Sequence, residues 1–289
     1  MADNQATFPA YVNQQINTWN AIPGEGYFKR TGNNGVDFIT ARGYITFDLV
    51  DDAISLQFGY DKNFLGNGYR SMILSDFSSN YLFLKLNTQV WKLHYQNLFA
   101  QLTADVFNTD GFFPQKYYAH HHLSVNVTKN LNIGLFESIV FNRGDTTAAT
   151  GNNAGGFDFR YLNPIIFYRS IEQQAGSPDN AILGMDFKWN FLKRFSLYGQ
   201  LVIDEFVISR IRDWNGWRGN KQSGQLGLKY LDVAGVANLD LQAELNIARP
   251  YVYSHNFRYG EYSHYNQPLV HPLGANFYEY VGQLRYQPI

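Results

Sequence analysis

The feature that most constrains this chain is a two-residue alternation of apolar and polar side chains, renewed segment after segment. From Ile39 to Leu49 one face reads Ile39, Ala41, Gly43, Ile45, Phe47 and Leu49; the other reads Thr40, Arg42, Tyr44, Thr46 and Asp48. Side chains of a strand point alternately to opposite faces, so this pattern specifies a β-strand with one apolar and one polar side. Its length, about ten residues, is what a tilted strand needs to cross a bilayer. The same reading predicts strands over Ile54 to Tyr60, Tyr81 to Thr88, Trp91 to Leu102, Tyr118 to Val127 and Leu131 to Phe141. It continues over Ala181 to Phe191, Phe195 to Ile203, Ser223 to Tyr230, Leu239 to Ile247 and Phe277 to Tyr286. Only Tyr81 to Thr88 and Trp91 to Leu102 have an ambiguous phase.

The connections alternate as regularly as the side chains. Tight turns are expected at Asp51-Asp52, Gln89-Val90, Lys129-Asn130, Leu192 to Arg194 and Asp232 to Val236. Long loops run over Asp61 to Asn80, Thr103 to Lys116, Asn142 to Asn180, Glu205 to Gln222 and Ala248 to Asn276. Outer-membrane barrels show this asymmetry, with short periplasmic turns and long extracellular loops. Composition agrees: aromatic residues are 17% and charged residues 16%, while the mean hydropathy of -0.31 is not that of an apolar chain. A wall with one lipid face and one polar face averages to such values. No run approaches the roughly 18 apolar residues of a spanning helix. The net charge of -1 offers no basic face for nucleic acid. The absence of cysteine removes disulfides and thiolate metal sites and agrees with an oxidising compartment. The fold class expected is therefore all-β, an antiparallel transmembrane β-barrel of outer-membrane type, as one domain over residues 1–289.

The barrel is expected to be incomplete in this chain. With tight turns in the periplasm, the strand at Ile39 enters from outside, unless Met1 to Arg30 holds another strand. About eleven strands are visible, whereas complete single-chain bacterial barrels have an even number. An open edge in lipid leaves backbone groups unpaired, so a fragment of a longer barrel is the expectation. Met1 to Gln5 shows neither a basic nor an apolar leader segment, which agrees with a mature or partial chain.

Four segments carry a resemblance. They are Gly59-Tyr60-Asp61-Lys62-Asn63-Phe64-Leu65-Gly66-Asn67-Gly68-Tyr69-Arg70-Ser71 continuing to Asp76; Gly134-Leu135-Phe136-Glu137; Tyr161-Leu162-Asn163-Pro164 through Glu172, with Asp179-Asn180 and Asp204-Glu205; and Asn266 through Phe277. Together they resemble the Wzi-type capsule-assembly family of outer-membrane β-barrels, in the Bacteroidetes branch where some members are labelled gliding-motility proteins. The resemblance implies a bacterial outer-membrane barrel that binds capsular or exopolysaccharide and helps attach or assemble it. It also implies a barrel larger than this chain and a helical periplasmic portion not recognisable here.

Asp204-Glu205 and Glu137 are carboxylates that glycosidase chemistry could use at a separation of about 5 to 10 Å; a rim or lumen charge network is the plainer reading. Glu137 has the phase of Leu135 and Ile139, which should face lipid, and a β-bulge near Phe136 re-aiming it inward is expected, with a misread register as the alternative. In His120-His121-His122 only His120 and His122 share a face, too few for a closed zinc site, so lumen histidines paired with neighbours are expected. Gly66-Asn67-Gly68 reads as a tight loop, with Arg70 and Asp76 able to pair inside it. Trp214, Trp217, Tyr251, Tyr253, Tyr259, Tyr262 and Tyr265 lie in the two late loops, where aromatic faces can stack on sugar rings. The expected ligand contacts are thus Arg70, Asp76, Glu137, Glu172, Asp204, Glu205, Trp214, Trp217, Tyr259 and Tyr262. Arg42, Asp48, Asp61, Lys188, Asp204 and Glu244 are expected to line the lumen. No catalytic residue, metal ligand or cofactor is expected. The function expected is polysaccharide binding by a monomeric barrel in outer-membrane lipid; a porin or channel, a barrel enzyme, or a surface protein supporting gliding motility are the alternatives.

Overall fold

A computed structural model describes residues 2–4, 7–51, 53–105, 113–142, 156–163, 179–204 and 221–288. The chain is all-β. Three short strands, β1 (Ala2–Asn4), β2 (Lys29–Thr31) and β3 (Gly35–Asp37), form a small sheet of their own. The main sheet begins with β4 (Gly43–Val50), β5 (Ile54–Asp61), β6 (Tyr81–Val90), β7 (Leu93–Thr103) and β8 (Gln115–Asn126). It continues with β9 (Leu131–Phe141), β10 (Asn180–Phe191), β11 (Phe195–Asp204), β12 (Lys221–Tyr230) and β13 (Leu239–Ala248). A two-residue pair, β14 (Ser263–His264) and β15 (Gln267–Pro268), lies in the loop before the last strand, β16 (Phe277–Tyr286). Each of the eleven main strands pairs antiparallel with its neighbours in sequence, and β4 and β16 form the two edges. The sheet is open, as an incomplete barrel would be.

The cross-strand register fixes both faces. Leu98 opposes Lys85 and His120, and His120 opposes Ser138, so the uncertain phases of β6 and β7 resolve with Tyr81, Phe83, Lys85, Leu98 and Ala100 inward. Asp48, Asp61, Lys188, Asp204 and Glu244 share that inner face through their register partners, and Arg42 lies 3.9 Å from Asp61. Outward, large apolar side chains stand exposed along the sheet: Phe47, Phe58, Leu82, Leu135, Met185, Leu201, Leu226, Leu241, Tyr278 and Tyr280.

One turn differs from its expected place. The first tight hairpin of the sheet's middle turns at Trp91-Lys92, not Gln89-Val90: β6 runs on to Val90, and Trp91 takes the positive φ of 54° that the turn requires. Among the described residues before Arg30 none joins the main sheet, which leaves the strand after Ile39 as its first. Residues 10–19 form helix α1 (Ala10–Trp19), whose Ile16 packs with Val12, Ile22 and Val36 in a small core of its own.

The larger core lies inside the curve of the sheet. Met72, Ile73 and Leu74 from the loop after β5, with Val252, Tyr253, Tyr262, Leu269 and Val270 from the loop before β16, fill it. They pack on inward side chains of β6 to β11 and β13, among them Phe83, Leu98, Tyr118, Phe136, Ile182 and Val202. These two long loops fold inward because each carries an apolar stretch that water would not solvate.

Candidate functional site

The inner face of the sheet holds the loop of residues 62–80 by polar side chains aimed at its backbone. Glu244 on β13 accepts from the Tyr69 N–H at 2.8 Å and the Arg70 N–H at 3.1 Å. The same carboxylate accepts from the Tyr198 hydroxyl at 2.7 Å and the Asn246 amide at 2.9 Å. Gln200 accepts from the Met72 N–H at 2.7 Å and donates to the Leu65 carbonyl at 3.2 Å. Lys229 donates to the Asn67 carbonyl at 2.7 Å, Gln225 to the Arg70 carbonyl at 2.8 Å, and Lys85 to Asn63 at 3.1 Å. A loop held from β6 on one side and β11 to β13 on the other spans the interior. Gly68 is needed here, because a Cβ would sit 2.4 Å from the Glu244 carboxylate and 2.8 Å from the Arg70 carbonyl.

The loop before β16 closes over the first. Tyr253 donates from its hydroxyl to the Met72 carbonyl at 2.7 Å, and its N–H donates to Asp204 at 2.7 Å. Tyr262 donates to the Ile73 carbonyl at 3.0 Å and meets the Tyr118 hydroxyl at 2.7 Å. Burial pushes the Tyr262 phenol up to about 12, so it stays a neutral donor. Tyr253→Phe is expected to destabilise the protein by about 1 to 2 kcal/mol by leaving the Met72 carbonyl unpaired, measured by urea unfolding in detergent. Tyr265 and Asn266, with φ of 51° and 59°, make the two-residue turn between β14 and β15.

At the loop-side end, this lid and helix α1 enclose a cleft of about 200 Å³ lined by Trp19, Ser254, Glu261, Ser263, Asn266 and Pro268, among others. Asn266 donates to the Trp19 carbonyl at 3.0 Å and so ties α1 to the lid. Burial, then the neighbouring Asp105 charge, raises the Glu261 carboxyl pKa, partly offset by Lys116 and Arg258. Beneath it Lys116 is buried and donates to the Glu261 carbonyl at 2.6 Å. The cleft is open to solvent and mixed in lining, with Val252, Pro268, Val270 and Ala275 beside Trp19, Glu261, Asn266, Ser254 and Ser263, an apolar surface with a few polar residues as ligand sites have.

The predicted contacts fall in several places. Arg70 does not pair with Asp76: its guanidinium lies 3.6 Å from Glu279, while Asp76 is exposed and acts on Lys62. Fixing the Arg70 backbone on Glu244 turns its side chain toward β16. Asp204 is fully buried and anchors the lid. Tyr262 is buried inside the plug, and Tyr259 lines a small cavity with Asp179 and Phe257. Glu172, Glu205, Trp214 and Trp217 lie outside the described residues. No bulge re-aims Glu137: β9 pairs with β8 and β10 in unbroken register, and Glu137 stays on the outer face, buried. The register shift in the sheet is in β4, between Asp48 and Val50.

His120 and His122 share the inner face as expected. His122 meets Asp186 at 2.5 Å, in a space kept open by Gly134, and His120 meets Ser138 at 2.7 Å. Among the described residues no three His, Asp or Glu side chains stand together as a cation site. Sequence reasoning missed Trp19 and Glu261. The spacing of Val12, Ile16 and Trp19, four and then three residues, was the helical signal that pointed to α1. Nothing in the sequence placed Glu261 beside it. Compared with protein-family models, curated proteins and solved structures, the chain finds no match in any of the three.

Proposed function

We propose that this chain forms the wall of a bacterial outer-membrane barrel that binds a surface polysaccharide and serves capsule or exopolysaccharide assembly or attachment. The observation that carries the reading is the division of one sheet into two unlike faces. The outer face exposes Leu135, Met185, Leu201, Leu226, Tyr278 and Tyr280 to its surroundings. Soluble monomers rarely expose apolar surface on that scale, whereas a lipid-facing wall requires it. The inner face carries the carboxylates, amides and lysines that hold two long loops in place. The resemblance of the Gly59 to Asp76 and Asn266 to Phe277 segments supplies the polysaccharide, since these are the two segments that fill the interior and roof it.

The mechanism is binding, without catalysis. Trp19 provides a flat face for a sugar ring, and Glu261, Asn266, Ser254 and Ser263 provide partners for its hydroxyls. The test uses the full-length gene product with its native leader. Heat-modifiable migration in outer-membrane fractions and retention on immobilised capsular polysaccharide are expected. Trp19→Ala is expected to weaken retention at least tenfold, about 1.4 kcal/mol, with heat modifiability unchanged. Equal retention of the variant would remove the cleft from the binding site, and a soluble product without a heat shift would overturn the membrane reading.

A diffusion channel is the less favoured reading, because residues of the 62–80 and 249–276 loops occupy the interior. Conductance close to the lipid baseline is expected in a planar bilayer.

A further inference from the structure

On the outer face of β7 to β10 the register lines residues up in rows. Of the rows that cross all four strands, the one nearest the long loops is Phe99–Ala119–Ile139–Ala181, with Gln101–Tyr117–Phe141 beyond it. The next row toward the tight turns is Asn97–His121–Glu137–Leu183, and the one after it is Tyr95–Leu123–Leu135–Met185. In the third row Leu135 is 54% exposed and Met185 39%. In the first, Ala119 and Ile139 are 0% exposed and Ala181 7%; in the second, His121 and Glu137 are 0% and Asn97 2%. Phe99 and Leu183, at the ends of these two rows, are half-buried, and the residues between them are withdrawn from the surface.

The covering chain can be named for the first row. Tyr161 belongs to the same apolar cluster as Ala119, Ile139, Phe141 and Ala181, and Phe157 packs against it. The Phe157 ring meets those of Phe99, Tyr117 and Phe141 with centroids 6.2, 5.6 and 5.3 Å away. Tyr161 packs its ring tilted against Phe141 at 4.6 Å and donates to Asp179 at 2.5 Å, which fastens the segment to the root of β10. Phe159, on the far side, is 77% exposed. Residues 156–163 thus lie as a strap across the outside of the wall, apolar against the sheet, and outward they present Phe159 and Leu162 beside the Arg160–Asp158 ion pair.

The polar second row follows from this. Asn, His and Glu on a lipid contact would be costly, yet here they are withdrawn from the surface and the Tyr95 hydroxyl hydrogen-bonds the His121 ring. We infer that the loop-side half of the outer wall over β7 to β10 is sealed from lipid by the chain's own strap, and that Glu137 belongs to an internal polar seam between wall and strap. The inference rests on the membrane reading proposed above. Beyond the strap the wall returns to lipid: an apolar groove of about 150 Å³ runs along Phe58, Leu82, Leu84 and Phe99 beside Phe157.

The experiment is carbene photolabelling of the unmodified full-length protein in phosphatidylcholine vesicles, with a lipid-partitioning diazirine and residue-level mapping. Leu135, Met185, Leu201 and Phe159 are expected to label. Ala119, Ile139 and Ala181 are expected to label at least tenfold less. Equal labelling of both groups overturns the seal and leaves the membrane reading standing. No labelling of Leu135, Met185 and Leu201 overturns the membrane reading and the seal with it. Glu137→Leu adds a sign test: a carboxylate facing lipid is improved by leucine, whereas one in an internal seam is not. A lowered unfolding midpoint is expected, and a raised one overturns the seam.

Discussion

Glu244→Ala should lower stability by about 2 to 5 kcal/mol, the scale of leaving two or more buried donors without an acceptor. Its carboxylate receives two backbone N–H groups, a phenol and an amide. Of these, the Tyr69 and Arg70 N–H groups belong to a loop that crosses the interior and finds no replacement acceptor in alanine. Each buried donor left unpaired costs about 1 to 3 kcal/mol. The loss should be local first: Arg70, now shielded, should become a tryptic site. Tryptic mapping of the folded protein in detergent checks this, and a variant as resistant as the parent would show that Glu244 does not hold the loop. Gly68→Ala should produce the same opening by a different route, since its Cβ needs the volume that the carboxylate occupies. The two changes act on one contact, so their effects should fall short of additivity in a double-mutant cycle.

The wall was legible in the sequence because a strand's side-chain period is fixed at two, so composition on each face survives in the order of residues. Phe277 to Tyr286 is found with both ends as read, and Asp48, Lys188 and Glu244 face inward as their phase requires. The interior was less legible. That the Gly66-Asn67-Gly68 turn belongs to a plug depends on Met72-Ile73-Leu74, an apolar tripeptide in a polar loop. Its partners, Tyr253 and Tyr262, are nearly two hundred residues away, and no local pattern announces such a distance. Glu137 is the instructive case. Its phase puts a carboxylate on the outer face, which a lipid-facing reading of that face reconciles only with a bulge. The structure keeps the phase and buries Glu137 without a bulge, while in the adjacent row Ala119, Ile139 and Ala181 are covered by residues 156–163, whose own pattern is not strand-like. Local periodicity reports which face a side chain takes; it does not report what lies on that face.

Acidification should loosen the lid through His264, and the sign can be worked out from its two bonds. Its Nδ1 accepts from the Thr103 N–H at 2.9 Å, so the ring proton sits on Nε2 and is donated to the Asn80 carbonyl at 2.9 Å. A second proton on Nδ1 would face the Thr103 N–H with no acceptor. Burial, with a smaller contribution from Lys116, depresses the His264 pKa from 6.5 to about 3, against the opposing pull of the Asn80 carbonyl. Below pH 6.5 the unfolded chain takes up a proton that the folded chain refuses. The stability tied to the neutral ring is therefore complete above pH 6.5 and is lost as pH falls toward 3. The slope from this one group is about 1.4 kcal/mol per pH unit, or about 2 kcal/mol by pH 5. His264→Gln keeps a donor and an acceptor but cannot titrate. It should be the less stable protein at pH 7.5, and the gap should narrow or reverse by pH 5. Parallel pH–stability curves for the two proteins would exclude His264 as the titrating group. Since Asn80 and Thr103 are the roots of β6 and β7, this ring pins the lid strands β14 and β15 to the wall. Polysaccharide retention at the cleft that the lid borders should fall over the same pH interval in the parent and more shallowly in the variant.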